Sequence, residues 1–432
     1  MKKILFNLFR LVIGRTGFKK YKTWKGKQHR HKELLKAREY LKQQDAILDR
    51  IKAKPVKRIL FFVVNMGMWK YDGLIQLMKR DSRFDIVIVS FPIPMFDSRI
   101  NKLHQKEIES YCKENSLKFI PGFNYETNAY ADLSDIHPDI VSYTQPYNIG
   151  YTPWLIDSFK DTSLFIYTPY GASVTQGNYF YDTYLTNVAW KVFVGSRMEK
   201  EFFNSCLSVN CDNQIVTGYT IADKLSKPAL EKNPWKSNRK HIIWAPHHSI
   251  DERFSFSSSN FERLCEGMVD IAKKYAGSIE FAFKPHPILK ERLIEKWGHK
   301  KTEEYYQMWA EMPNTFICEG SYAELFAYSD GLIHDCASFV CEYLLTGKPA
   351  LYVVKDSNVP DSVNNELGIR CFEQHYHAKE VNEIEKFIDR VILAELDDLK
   401  KERKEFVATE LLPPNGCSVG ENMMKEFENL TI

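Results

Sequence analysis

Residues 332–354, LIHDCASFVCEYLLTGKPALYVV, decide the fold. The stretch begins as a short apolar run that gives way to His334 and Asp335, continues as a helix opening near Ser338, and ends in the apolar run PALYVV. A strand, a helix and a second strand in that order form a βαβ unit, whose two strands pair in parallel. The same pattern recurs on both sides. HIIWAP (241–246), IEFAFKP (279–285), NTFICEG (314–320) and DGLIHD (330–335) read as further strands, with a helix around Phe261 to Tyr275. Upstream, VKRILFFVVNMGMW (56–69), the helical YDGLIQLMKRD (71–81) and FDIVIVSFP (84–92) open a second series. It continues through LKFIPG, DIVSYTQ, SLFIYTPYG, KVFVGS and NQIVTGY.

The two series are separated by KLSKPALEKNPWKSNRK (224–240), a polar, proline-bearing linker. A chain of 432 residues, 44% of them hydrophobic, has material for two cores. The expected organisation is a basic arm and linking helix at 1–55, α/β domains at 56–225 and 240–395, and a C-terminal helical segment at 396–432. Alternating strands and helices imply parallel sheets covered on both faces, with a cleft between the domains.

Ligands in such sheets bind beyond the carboxyl ends of the strands. His247 and His248 follow IIWAP, Lys284 and His286 follow IEFAF, and His334 and Asp335 follow GLI. A helix opening at Ser338 would offer free backbone N–H groups and the positive end of its dipole to a phosphate. Ser338 can add its hydroxyl or serve only as an N-cap. Glu342, one turn on, suits a ribose diol. His286 stands between Pro285 and Pro287, which hold it with little entropy to lose. Its imidazole is placed to steady or protonate a diphosphate leaving group, or to bond backbone in a turn.

Charge is segregated. The first 58 residues hold 19 Lys and Arg against four acids, a net +15 that leaves −12 for the rest. Such an arm seeks an anionic partner. Ile4, Leu5, Leu8, Phe9 and Val12 fall at helical spacing ahead of the basic, aromatic run RTGFKKYKTWKGKQHRHK, a pattern suited to lipid headgroups. The apolar run is far short of the roughly 20 residues that span a bilayer, and it lacks a small-residue cleavage site. The expected location is peripheral, on the cytoplasmic face of the membrane. A solvated arm, or nucleic-acid stacking by Phe18, Tyr21 and Trp24, is the less favoured alternative. Residues 31–54 read as one linking helix. Nine cysteines include no CxxC pair and no metal-ligand spacing with histidine, so reduced, packed thiols are expected and no metal or cofactor is.

FKPHP, YAELFAYSDGLIHDCASFVCEYLLTGKP and, more faintly, WKYDGLIQLMKRDSRFDIVIVSFP resemble the CDP-glycerol glycerophosphotransferase family of teichoic-acid primases and polymerases, which also occur in capsule gene clusters. The resemblance covers about residues 58–390. It implies a GT-B fold, with the donor nucleotide on the C-terminal domain and the acceptor approached from the N-terminal one. It further implies metal-independent transfer of a polyol phosphate from a CDP-activated donor to a lipid-linked or glycan acceptor, at the membrane.

Three departures stand out. The family's "WHGTP" histidine, its proposed base, is replaced at IYTPYGASV by Tyr170, and a tyrosine of ordinary pKa near 10 is a poor base at neutrality. Asp72 is the alternative base, with helix capping as its plainer role. His334 stands where a serine or threonine is usual, and the histidines of WAPHHS replace an arginine-bearing version. The competing reading is a GT-B glycosyltransferase that uses a nucleotide sugar. A non-catalytic polymer-binding protein is the remaining one.

Overall fold

The computed structural model describes residues 26–94, 96–227, 232–250, 259–320, 322–355 and 358–430. The first domain contains β1 (Lys57–Val63), β2 (Phe84–Ser90), β3 (Lys118–Ile120), a small antiparallel pair of β4 (Phe123–Asn124) with β5 (Ala129–Tyr130), then β6 (Ile140–Tyr143), β7 (Leu164–Tyr167), β8 (Lys191–Val194) and β9 (Gln214–Val216). Seven of these form one parallel sheet in the order β3-β2-β1-β6-β7-β8-β9. The second domain contains β10 (Lys240–Ala245), β11 (Ile279–Phe283), β12 (Thr315–Ile317), β13 (Gly331–His334), β14 (Ala350–Val353) and β15 (Tyr376–Ala378), also all parallel, in the order β12-β11-β10-β13-β14-β15.

Central strands such as β1 and β11 are buried on both faces, which is why they read as unbroken apolar runs rather than alternating ones. Helices cover both faces of the second sheet. Phe261–Lys274 supplies one core, and the segments around Phe326, Tyr343 and Leu367 supply the other. The strand order reverses between β1 and β6 in one sheet and between β10 and β13 in the other, and each reversal opens a crevice at the carboxyl ends.

Two ties connect the domains. The loop after β7 crosses to the second domain: Asn365 Nδ2 donates to the Ser173 carbonyl at 2.5 Å and Thr175 Oγ1 to the Ser362 carbonyl at 2.6 Å. Val174 is buried in the second domain's core. In return, the helix Val419–Glu428 packs Val419, Met423 and Phe427 into the first domain's core. That helix lies so close to Asp72–Met78 that Gly420 faces Gly73, while Asp223 accepts the Val419 and Gly420 N–H groups at 2.8 and 3.1 Å.

The linking segment differs from the single expected helix. It is a helix over 26–41, a break at 42–43, and a second helix at Gln44–Lys52. Both lie on the first domain, where Tyr40 is buried and donates to the Ser163 carbonyl at 3.0 Å. Arg30 pairs with Asp182, Lys36 with Asp157 and Lys54 with Asp139. Part of the basic excess is therefore paired inside the chain. Residues 1–25, which carry the apolar run and the membrane expectation, lie outside the described residues. Among the described residues no helix is long and apolar enough to cross a membrane.

A Cβ at Gly420 would stand 2.5 Å from the Gly73 carbonyl carbon, a backbone atom that cannot step aside. Helix propensity alone would favour alanine by up to about 1 kcal/mol. Gly420→Ala should instead lower unfolding stability by about 1–3 kcal/mol in urea titration, the usual penalty of overpacking.

Candidate functional site at the interdomain cleft

The register Trp244↔Phe283 places β10 and β11 side by side and in parallel, so the loops that follow them leave from the same edge. The His286 N–H donates to the Pro246 carbonyl at 3.1 Å and stitches the two loops together. This gathers three imidazoles. Ring centroids are 4.2 Å apart for His247 and His248, 4.2 Å for His248 and His286, and 5.1 Å for His247 and His286. Burial, followed by mutual repulsion and nearby cations, pushes their pKa values down to about 3, 4 and 2 for His247, His248 and His286. They are neutral near pH 7. They therefore supply N–H donors and lone pairs but not the positive charge of the arginine they replace.

Hydrogen bonds orient the rings. The Ile288 N–H donates to His286 Nδ1 at 3.3 Å, which leaves the ring's proton on Nε2 as a free donor. His247 Nδ1 lies 2.9 Å from Ser249 Oγ. Positive charge at this edge comes from Lys284. Its side chain is buried, burial lowers its pKa, and it makes no hydrogen bond or ion pair among the described residues. The Glu319 carboxylate acts on it only from beyond ion-pair distance, and a buried ammonium without a close counter-ion is costly unless an anion arrives.

Asp335 holds the loops rather than facing the cleft. Its carboxylate accepts the His247 N–H and the Asn260 N–H, both at 2.6 Å, and burial raises its pKa to about 6. His334 turns inward, 1% exposed, against Tyr352 and His375. Its Nδ1 lies 3.2 Å from the Cys336 carbonyl. Their expected contact with a donor is thus replaced by support from below. Ser338 precedes the short helix Phe339–Glu342, has helical φ and ψ, and makes no capping bond, so the plain N-cap reading fails. Its hydroxyl has no hydrogen-bond partner among the described residues. Glu342 is buried and accepts a hydrogen bond from the Tyr322 hydroxyl at 2.6 Å.

The first domain faces this region across a pocket that Glu342 lines together with Lys70, Thr168, Pro169, Gly171 and Glu199. A Cβ at Gly171 would stand 3.5 Å from Ser338 Cβ, so the Tyr170 loop lies directly against the Ser338 helix. Glu199 fixes that loop by accepting the Ser173 N–H at 2.9 Å and the Gly195 N–H at 2.6 Å. Tyr170 itself is 39% exposed. Asp72 is committed elsewhere: it pairs with Lys224 at 2.7 Å and accepts bonds from Trp69 Nε1 at 2.8 Å and the Tyr111 hydroxyl at 2.6 Å. Burial alone would raise its pKa, but these partners outweigh it and hold the carboxyl below its ordinary value. That makes it a weak base.

Lys70, Glu199 and Tyr322 were not singled out from sequence. Lys70 sits two residues before Asp72 in the loop after β1, and its position beyond a strand's carboxyl end was the available signal. Glu199 and Tyr322 act through partners distant in sequence and leave no local mark.

Asp335→Ala would strand two buried N–H groups and should cost about 1–3 kcal/mol for each group left unpaired, read in urea unfolding. The carboxyl binds its proton more tightly folded than unfolded, so it opposes folding increasingly as pH rises from about 4 to about 6. In Asp335→Asn that part of the pH slope should vanish.

A family model described as CDP-glycerol:poly(glycerophosphate) glycerophosphotransferase matches residues 171–408. No curated protein matches the chain significantly. Among solved structures, a variant of the wall teichoic acid polymerase TagF is similar at a TM-score of 0.56 and 12% identity, over 93% of this chain and 98% of that one. UDP-GlcNAc 2-epimerase from Neisseria meningitidis, bound to UDP-GlcNAc, is similar at 0.54 and 14%, over 87% and 99%. The epimerase from Methanocaldococcus jannaschii gives 0.52 and 11%, over 87% and 100%. At such identities the likeness establishes the fold, two Rossmann-like domains in the GT-B arrangement. The family match adds what fold cannot: it spans more than half of the sequence and includes the Ser338 helix, both histidine loops and Lys284, and the chain belongs to the CDP-glycerol:poly(glycerophosphate) glycerophosphotransferase family.

Proposed function

We propose that the protein transfers a polyol phosphate, glycerol phosphate or ribitol phosphate, from a CDP-activated donor to a hydroxyl of a lipid-linked or glycan acceptor. The product would be a cell-surface polymer of the teichoic acid or capsule type. The observation that carries this reading is Lys284, a buried cation with no side-chain hydrogen bond or close ion pair among the described residues, beside three imidazoles at the carboxyl edge of the second sheet. A diphosphate supplies the charge it lacks. Family membership supports the CDP-activated donor.

In this mechanism an acceptor hydroxyl attacks the donor's β-phosphorus and releases its proton to solvent. The bond from that phosphorus to the bridging oxygen breaks, and CMP leaves with the bridging oxygen. Such displacements are governed by positioning and charge neutralisation. Lys284 and the His286 Nε2–H meet the diphosphate, with His247 and His248 as further neutral donors. Ser338 adds its hydroxyl. Glu342, oriented by Tyr322, takes the ribose diol. Tyr170 and Lys70 stand on the acceptor side, where Asp72 holds their surroundings rather than taking the proton, and His334 with Asp335 supports the donor loops.

Incubation with CDP-glycerol, CDP-ribitol and several nucleotide sugars tests the reaction class. CMP release is expected, whereas release of a nucleoside diphosphate from a nucleotide sugar would establish glycosyl transfer instead. His286→Ala should lower turnover about a hundredfold or more with the fold intact, the scale of a lost transition-state donor. Undiminished turnover would remove its role.

Membrane attachment belongs to the same proposal. Removal of residues 1–25 leaves the packed helix over 26–41 in place. Turnover of a soluble acceptor should persist, while binding to vesicles containing anionic lipid falls and loses its salt dependence. Unchanged vesicle binding would place the attachment elsewhere.

A further inference from the structure

We propose that His247, His248 and His286 form a site for a divalent transition-metal ion of the Zn²⁺ class, with a fourth position open to a phosphate oxygen of the donor. The metal site stands on geometry alone. Its link to the donor rests on the function proposed above, and it departs from the metal-independent transfer that the family resemblance implies.

One ligand atom from each of the three imidazoles lies within 4.8 Å of the others. Zn–N bonds of about 2.0–2.1 Å put tetrahedral ligands roughly 3.4 Å apart, so the rings must close by about an ångström. Side-chain rotation covers that distance. The supporting backbone does not need to move, because the His286 N–H is bonded to the Pro246 carbonyl and prolines stand before His247 and on both sides of His286. Two ligands come from one loop and one from the next, so the three approach from different directions. Ser249 Oγ, 2.9 Å from His247 Nδ1, provides the outer-shell contact that turns the other ring nitrogen toward a metal. The 3.3 Å contact from the Ile288 N–H to His286 Nδ1 is long and can be given up as that ring turns. Three imidazoles select Zn²⁺, Co²⁺, Ni²⁺ or Cu²⁺ over Mg²⁺ and Ca²⁺, which prefer oxygen. A three-histidine set with a vacant position is the pattern of reactive rather than purely structural zinc.

Lys284 and Arg292 act on the same cluster as cations and oppose a lone dication. The negative charge of a diphosphate offsets that repulsion. Metal and nucleotide should therefore bind cooperatively, each tightening the other by the same factor.

Co²⁺ titration of the full-length protein, followed by visible absorption with and without CDP, tests the site. One equivalent with tetrahedral ligand-field bands is expected, tightened by CDP. His247→Ala and His286→Ala, checked for folding by circular dichroism, should each weaken binding at least about tenfold, as losing a ligand must exceed losing its outer-shell support. His286→Gln provides a second variant of similar size if the alanine form does not fold. No bands and no stoichiometric binding in the unmodified chain, with or without CDP, would overturn the site, as would unaltered binding in the folded variants. Co²⁺ binding without turnover of any CDP-polyol would instead count against the function alone. Chelator-resistant turnover without Co²⁺ binding would count against the metal alone.

Discussion

The carboxylate of Glu199 holds the rest of the arrangement together. It accepts the backbone N–H groups of Ser173 and Gly195, fully buried, and so fixes the loop that leaves β7. From that fixed start the chain reaches the second domain, where Asn365 and Ser362 receive it and Val174 enters the core. Tyr170 and Gly171 are thereby set against Ser338, and Lys70 shares a pocket with Glu342. Two hydrogen bonds to one acid thus decide how an acceptor-side loop meets a donor-side helix. Burial raises the Glu199 pKa, and the amide bonds only partly offset the rise, so the site carries a stability cost that packing elsewhere must cover.

Charge is distributed sparingly in the cleft. The three imidazoles are kept neutral by burial, Asp335 beside them is tied to backbone, and Glu342, in the pocket with Lys70, is bonded to a hydroxyl. Positive charge is concentrated on Lys284 and Lys70, one from each domain, and neither forms an ion pair among the described residues. Neutral donors around a cation that no carboxylate pairs at close range match a substrate whose own charge is spread over two phosphate groups. Preorganised donors in a water-poor site act strongly on charge that develops during reaction. The same neutrality leaves lone pairs for the proposed metal, which would take the place of those donors at the phosphate.

Much of the fold was legible because buried parallel strands announce themselves. ILFFV, IVIV, IIWA and FAF are apolar without alternation, and their ends fix where His247, Lys284 and His286 emerge. β15, Tyr376–Ala378, was not foreseen because a three-residue edge strand with a histidine at its centre carries no periodic signal. The pair β4 and β5, two residues each, is equally silent. At the site, residue types following strands could be named, but which way each side chain turns could not. His334 and His286 both follow apolar runs, yet one is sealed under the sheet edge and the other joins the cluster. Asp335 bonds amides 75 and 88 residues earlier, and Asp72 is held by Lys224 from the linker region. Such partnerships depend on tertiary placement and not on local pattern.

The central claim is that a nucleotide's phosphates lie between the proline-bracketed His286 with Lys284 and the start of the Ser338 helix. A crystal structure of the protein with CDP tests it most directly. The account predicts phosphate oxygens within hydrogen-bonding distance of Lys284 Nζ and His286 Nε2, with the ribose hydroxyls at Glu342. CDP bound well away from both the His286 loop and Ser338 would contradict it.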